Sequence, residues 1–129
     1  MRVLLDTQCW IWMAAAPERL SARARALVED EEHDLLLSSA SVWEISIKHG
    51  LGKLQLPERP ERYVPSRMAA LKTSALSIEH VHALGVAALP PHHRDPFDRL
   101  LIAQARAERI AILTADPVFG QYDVRVIDA

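Results

Sequence analysis

Short apolar runs alternate with helix-like segments along this chain, and acidic residues stand where one gives way to the other. Residues 3–5, 35–37 and 110–113 are apolar runs of strand length, and each leads into a polar residue that can begin a helix. Runs that are apolar at every position are typical of strands buried on both faces, as in parallel sheets. The alternation therefore predicts an α/β fold with a central, mainly parallel sheet.

Weaker patterns complete the order of elements. Amphipathic patterns predict helices over residues 21–30 and 96–109. Glycines and prolines over residues 50–60 indicate a long loop. The remaining expectations are a helix over 61–73 that includes Pro65, a short strand over 75–78, a helix that ends near Ala88 and a last strand over 124–127.

Length and composition limit the classes of protein to be considered. The chain has 129 residues, which predicts a single domain over residues 1–129. It has 15 Lys and Arg against 17 Asp and Glu, so its overall charge does not indicate nucleic-acid binding. Cys9 is the only cysteine, which excludes an internal disulfide and a cysteine-based zinc site. Without a signal-peptide or membrane-spanning pattern, a cytoplasmic protein with no membrane association is expected.

Four carboxylates fall close to the predicted carboxyl ends of strands, and they are Asp6, Glu44, Asp98 and Asp116. Ligand sites of parallel sheets form beyond those ends, so the four side chains are expected to converge. Crowded carboxylates repel one another unless a cation neutralises them. Oxygen ligands favour Mg²⁺ or Mn²⁺, ions that bind substrate phosphates and activate water. The pattern thus indicates metal-dependent hydrolysis of phosphodiester bonds.

Each of these acids also has an explanation as part of a helix start. Asp6 can cap a helix, and Ser41 with Glu44 matches a capping box. Asp98 follows Asp95 and Pro96 as an acid in the first turn of a predicted helix, and Asp116 directly precedes Pro117 in a similar signal. Taken singly, each acid is better explained by capping, because acidic caps are common. Their occurrence together at one end of a sheet favours a site.

The histidines occur in pairs whose spacing resembles that of metal ligands: His80 with His82, and His92 with His93. No cysteine or further histidine follows at an interval typical of zinc sites. Turn and surface positions are therefore expected for these side chains.

Two further groups of residues leave alternatives open. Aromatic side chains near strand ends are more often core than partner surface, which applies to Trp10, Trp12 and Trp43. The basic residues of the central region either follow an RNA backbone beside the acids or form a solvated helix face. They are Lys48, His49, Lys53, Arg59, Arg62 and Arg67.

Longer motifs connect the chain with a known family. It contains the segments LLDTQCWIW, SSASVWEISIKHGLGKL, LPPHHRDPFDRLLIAQA and ILTADPVF. In order and spacing, these segments resemble those of VapC toxins, the small PIN-domain ribonucleases of type II toxin–antitoxin pairs. The resemblance implies a PIN-like three-layer α/β/α sandwich and endoribonuclease activity with Mg²⁺, or alternatively Mn²⁺. It further implies a homodimer and a cognate VapB-type antitoxin whose tail covers the active site.

The resemblance also implies roles for individual residues. The family's four acids match Asp6, Glu44, Asp98 and Asp116 in chain order. Asp6, Asp98 and Asp116 are expected to bind the metal, and Glu44 is expected to orient water. Asp98 is matched in preference to Asp95 because it directly precedes RLLIAQA, and Asp95 is assigned to helix capping.

The chain departs from the family pattern at Gln8, where many relatives carry histidine. Because all four acids remain, catalysis is expected to persist. Receiver-like phosphoacceptors need an acid pair near the first strand and a late lysine, and haloacid-dehalogenase-like phosphatases need aspartate at position 8. Neither requirement is met. The alternative that remains is a catalytically silent PIN-like module that binds RNA or protein, although such a module has little reason to tolerate repelling acids.

Overall fold

The computed structural model describes all 129 residues. Its strands are β1 (Arg2–Leu5), β2 (Asp34–Ser38), β3 (Thr73–Leu76), β4 (Ala111–Thr114) and β5 (Val126–Asp128). Its α-helices are α1 (Thr7–Ala15), α2 (Ala22–Glu29), α3 (Ser39–Gly50), α4 (Pro60–Leu71), α5 (His80–Gly85) and α6 (Pro96–Glu108). Short 3₁₀ helices cover Pro17–Arg19, Val86–Ala88 and Pro117–Gln121. None of the helices combines the length and apolar composition that crossing a bilayer requires.

All strands are parallel and form one sheet in the order β3-β2-β1-β4-β5. The central strand β1 pairs on both sides, with Leu4 opposite Leu36 of β2 and Ile112 of β4. Helices pack against both faces of this sheet. The expected α/β/α sandwich with a parallel sheet is therefore confirmed.

Alternation of side chains along the strands divides the apolar core into two layers. Val3 and Leu5 pack on one face with Trp10 and Ile45, whereas Leu4 packs on the other. Residues of α1, α2 and α4 close the first layer, α6 closes the second, and α3 contributes to both. Each fully buried leucine or isoleucine contributes about 1.5–3 kcal/mol, so the doubly covered central strands supply much of the stability.

The strand order reverses at β1. After β1 the chain moves outward through β2 and β3, and it then returns to add β4 and β5 on the other side. Open α/β sheets bind ligands in the crevice at the carboxyl ends of the strands where the order reverses. Here the backbone N–H of Asp6 donates to the carbonyl of Leu113 at 3.0 Å, which joins the ends of β1 and β4.

Side-chain caps start three helices at this same edge. Asp6 caps α1, Ser38 caps α3 and Asp95 caps α6, each by accepting from a backbone N–H. Because α3 begins after Ser38, the capping box expected from Ser41 and Glu44 is wrong. Those two side chains are left free for other contacts.

Two weak strand patterns are shifted in the structure. β3 begins at Thr73, earlier than expected, and its buried positions are Thr73 and Leu76. The Thr73 hydroxyl accepts from the indole N–H of Trp10 at 3.2 Å, which ties the start of β3 to α1. β5 covers Val126–Asp128, later than expected. Pro65 lies inside α4, as the sequence predicted.

A buried glutamine of α6 links the carboxyl ends of β2 and β3. Gln104 is fully buried, its Oε1 accepts from the Ser38 hydroxyl, and its Nε2 donates to the carbonyl of Ser77 at 3.2 Å. Ser38 ends β2 and caps α3, and Ser77 follows β3. These bonds hold α6 against the edge of the sheet where the acids lie.

Replacing Gln104 with alanine is expected to destabilise the protein by about 2–4 kcal/mol, because it leaves a cavity, removes the acceptor of the buried Ser38 hydroxyl and breaks the hydrogen bond to the Ser77 carbonyl. Urea unfolding followed by circular dichroism measures this change. Gln55→Ala is the matched control, since Gln55 is exposed and its loss should cost less than about 0.5 kcal/mol. A loss below about 1 kcal/mol in Gln104→Ala would contradict the bridging role.

Candidate active site

The acids predicted from the sequence line one cavity where β1 and β4 end. The cavity has a volume of about 300 Å³. Its acidic wall residues are Asp6, Glu44, Asp95, Asp98 and Asp116. A larger cavity of about 850 Å³ lies at the opposite edge of the sheet, around Met1 and Arg109, and contains none of these acids. The acids predicted from the sequence therefore share the smaller cavity.

Asp6 is positioned by the end of β1 and the start of α1. Its Oδ1 accepts from the backbone N–H of Cys9 at 2.7 Å, and its Oδ2 accepts from the Thr114 hydroxyl. The side chain is buried, and burial raises its pKa above the usual value, although these two hydrogen bonds oppose the shift. Thr114, at the end of β4, was not among the expected site residues, because nothing near it in sequence marks it as a partner of Asp6.

Glu44 points into the cavity from α3. Its Oε1 accepts from the Thr7 hydroxyl at 2.8 Å, and its Oε2 accepts from the ammonium group of Lys48. The Thr7 hydroxyl also lies 2.9 Å from the Ser41 hydroxyl. Glu44 is 5% exposed, and the cost of burying its charge is compensated by the ion pair with Lys48 and the hydrogen bond from Thr7.

Asp98 and Asp116 meet at the imidazole of His93. The His93 Nε2 atom lies 3.1 Å from Oδ2 of Asp98 and 2.9 Å from Oδ2 of Asp116. The other oxygen of Asp116 accepts from the backbone N–H of Val118 at 2.9 Å and caps a 3₁₀ helix. Ligand atoms of His93, Asp98 and Asp116 all lie within 4.8 Å of one another. The metal ligands expected from the sequence were Asp6, Asp98 and Asp116, whereas this compact group has His93 in place of Asp6.

The carboxyl group of Asp98 is the most strongly perturbed acid in the cavity. Burial, followed by the negative charge of Asp95, raises its pKa from 3.8 to about 7. The His93 ring opposes this shift, whereas the carboxylates of Glu44 and Asp6 add to it. Asp98 therefore carries a charge that the protein alone does not fully compensate, and a cation in the cavity would compensate it.

Asp95 lies in the same wall but has a different environment. Its Oδ1 accepts from the backbone N–H groups of Phe97 at 2.8 Å and Asp98 at 3.2 Å. It is thus the N-cap of α6, the role assigned to it from the sequence.

Two histidines expected at the surface lie inside the structure. The side chain of His93 is 13% exposed, and His82 is 1% exposed with its Nε2 3.2 Å from the Glu108 carboxylate. His80 and His92 are exposed, as expected. The spacing of the histidines in sequence could not distinguish the buried from the exposed ones, because it does not show which ring turns toward an acid.

The tryptophans also differ in their burial. Trp10 is 2% exposed and belongs to the core, as expected, whereas Trp43 is 58% exposed. The core interpretation is wrong for Trp43, which packs edge-on against Phe97 with ring centroids 5.3 Å apart. Among the basic residues, Lys48 and Lys53 lie in the wall of the acidic cavity.

The donor set of the cavity fits a hard divalent cation. Its lining offers five carboxylates, and the imidazole of His93 lies against two of them. The thiol of Cys9 is not a competing ligand, because burial and the neighbouring Asp6 carboxylate raise its pKa and keep it neutral. Oxygen-rich sites of this kind suit Mg²⁺ or Mn²⁺ better than zinc.

Comparison with known families and curated proteins gives consistent results. The model of the PIN domain family matches residues 3–125. Ribonuclease VapC16 from Mycobacterium tuberculosis is 50% identical over 68 residues, which cover 50% of this chain and 48% of that protein. The chain thus spans about half the length of this curated relative.

Solved structures share the fold at low sequence identity. VapBC2 from Rickettsia felis, bound to a DNA fragment from its promoter, has a TM-score of 0.74 at 13% identity, with 100% of this chain and 99% of that chain covered. DNA-bound VapBC from Salmonella typhimurium has a TM-score of 0.71 at 15% identity, with coverages of 99% and 98%. At such identities the likeness establishes the fold alone.

Replacing Asp98 with asparagine is expected to stabilise the metal-free protein by about 2–4 kcal/mol above about pH 7. Because the pKa of Asp98 is raised to about 7, the folded protein holds a proton between about pH 4 and about pH 7 that the unfolded chain has released. The contribution of this group is most favourable below about pH 4 and is lost as the pH rises to about 7. Asparagine has no charge to bury and avoids that loss.

Urea unfolding at about pH 4 and about pH 8, without divalent ions, measures this difference. Glu58→Gln serves as the control, since it removes an exposed carboxylate outside the cavity. If Asp98→Asn is no more stable than the unmodified protein at the higher pH, the unfavourable charge assigned to Asp98 is wrong.

Proposed function

The chain belongs to the PIN domain family, and we propose that it is a metal-dependent endoribonuclease, the toxin of a type II toxin–antitoxin pair. Its substrate is RNA, and its reaction is the hydrolysis of phosphodiester bonds. Residues 1–129 form a single PIN-like domain in this proposal. The match to a protein named as a ribonuclease supports the assignment.

The observation that carries the proposal is the convergence of Asp6, Glu44, Asp98 and Asp116 in one cavity. Helix capping explains acids one at a time, but it does not explain why four of them share a wall where the strand order reverses. Nor does it explain the pKa of about 7 for Asp98, which marks an incompletely compensated charge. A site built to hold a cation accounts for both.

The proposed roles follow from where each side chain lies. Asp6, Asp98 and Asp116 would hold Mg²⁺ or Mn²⁺ through their carboxylate oxygens. The chemistry that such an ion would supply is polarisation of the scissile phosphate and activation of a water as nucleophile. Glu44 orients that water with a remaining oxygen lone pair, because Thr7 and Lys48 fix its carboxylate without using all of its acceptor capacity.

Lysines at the cavity offset its negative charge toward an incoming RNA. Lys48 donates to Glu44, and this hydrogen bond raises its pKa and keeps it protonated. Lys53 lies in the same wall and is exposed. RNA phosphates approach a cluster of acids only where cations reduce the repulsion, and these two side chains supply positive charge there.

The proposal includes a cytoplasmic location, a homodimer and a VapB-type antitoxin as partner. The matched structures named VapBC support such a partner. Exposed apolar side chains of two helices are available for contacts between chains. They are Trp43 and Ile47 on α3, Leu51 directly after its end, and Val81 and Leu84 on α5.

Incubation of the purified protein with total RNA, in Mg²⁺, in Mn²⁺ or in EDTA, tests the activity. Discrete cleavage that requires the metal is expected, and it should fall by at least about 100-fold in Asp6→Asn and in Asp98→Asn, because each removes a charged ligand. The protein must be free of antitoxin, and all variants must pass through the same purification.

Asp95→Asn is the matched control for Asp98→Asn. Asparagine at position 95 can still accept from the start of α6, so this variant should retain most of its activity. Equal cleavage by the unmodified protein and by Asp98→Asn would identify a contaminating nuclease. RNA binding without cleavage by folded protein would instead favour the silent binding module.

A further inference from the structure

His93 is the one side chain in the compact group at the acidic cavity that is not a carboxylate. It comes from the turn before α6, and its side chain is 13% exposed. Its Nε2 atom lies 2.9 Å from Asp116 and 3.1 Å from Asp98, so a single ring atom contacts two of the proposed metal ligands. The ring therefore lies where a divalent ion shared by these carboxylates would bind.

The hydrogen bond on the other side of the ring determines where its proton is. The backbone N–H of Asp95 donates to His93 Nδ1 at 3.1 Å, so Nδ1 is an acceptor and carries no proton. In the neutral imidazole the proton is then on Nε2. His93 thus points an N–H donor at two carboxylates, and a nitrogen that holds this proton is not available as a metal ligand.

Contacts around His93 hold the ring in this orientation. It packs edge-on against Phe119, with ring centroids 5.6 Å apart at 89°. Its backbone N–H donates to the Tyr122 hydroxyl at 2.7 Å, and its carbonyl accepts from Arg99 at 3.3 Å. The position of the donor is therefore built into the fold and is not an incidental choice of rotamer.

We infer that His93 is a positioning residue whose Nε2–H holds Asp98 and Asp116 together in the metal-free protein and competes with the divalent ion for them. This inference rests on the metal site of the proposed function. An ion held by these two carboxylates would compete with the N–H for the same oxygen lone pairs. Metal binding is therefore weaker than the acids alone would give, and the two carboxylates keep their positions without the ion.

Direct ligation by His93 is the opposite role, and the geometry disfavours it. Ligation through Nε2 would move the ring proton to Nδ1, where it would face the N–H of Asp95. That exchange replaces a hydrogen bond with two opposed donors. Mg²⁺ also prefers oxygen to nitrogen ligands. The two roles predict opposite effects of removing the ring.

Mn²⁺ binding, measured by electron paramagnetic resonance of the free ion, separates them. His93→Ala is expected to bind Mn²⁺ about tenfold more tightly than the unmodified protein, because the competing donor is lost. His93→Gln keeps an N–H donor on a side chain of similar reach, so its affinity should lie close to that of the unmodified protein. His92→Ala, which removes the exposed neighbouring histidine, should have no effect.

Each other result has a definite meaning. Unchanged affinity in His93→Ala overturns the inference alone, and weaker affinity shows that His93 is a ligand. If the unmodified protein binds no Mn²⁺, or binds it equally well as Asp98→Asn, the proposed metal site fails and this inference fails with it. Thermal melting without metal verifies that each variant is folded.

Nuclear magnetic resonance of the ¹⁵N-labelled imidazole gives a second readout that needs no substitution at His93. In metal-free protein at mildly alkaline pH, the proton of His93 is expected on Nε2. Saturating Mg²⁺ should shift this resonance in the unmodified protein and leave it in place in Asp98→Asn. A proton on Nδ1, or a resonance that Mg²⁺ does not move, overturns the inference.

Discussion

The parallel pairing of β1 with β4 is the constraint on which the site depends. Leu5 lies opposite Leu113, so the residues that follow both strands meet at one edge of the sheet. There the Thr114 hydroxyl donates to Asp6 and accepts from the backbone N–H of Asp116 at 3.0 Å. One hydroxyl thus joins the first and last acids of the cavity, which are far apart in sequence. A shift in the register between β1 and β4 would separate them.

The same pairing concentrates negative charge, which the fold offsets only in part. Asp6, Asp98 and Asp116 stand at the starts of helices, where the backbone N–H groups and the helix dipole favour anions. The ammonium of Lys48 neutralises Glu44, and the imidazole of His93 donates to two of the other acids. Since the pKa of Asp98 is still raised, these interactions do not remove the repulsion. A chain selected for stability alone would have a neutral residue there.

The order of elements and the edge at which the acids lie could be predicted from the sequence, because apolar runs and helix caps are local signals. Edge strands β3 and β5 were displaced by a few residues, since short strands at the edge carry fewer apolar positions. His93 and Trp43 could not be assigned correctly. The ring of His93 reaches an acid 23 positions later, and the exposure of Trp43 depends on how α3 packs beside α6.

Asp95 and Asp98 show what separates a structural acid from a functional one. Both stand at the start of α6, three positions apart, and either fits a helix-start signal. The carboxylate of Asp95 accepts two backbone N–H groups, so its charge is stabilised by the helix it caps. Asp98 accepts no backbone hydrogen bond in the structure, lies among other carboxylates and has a raised pKa. Because the fold compensates the charge of Asp98 only in part, this acid gains most from a bound cation. Asp95 and Asp98 can be told apart only when the hydrogen-bond partners of each carboxylate oxygen are known.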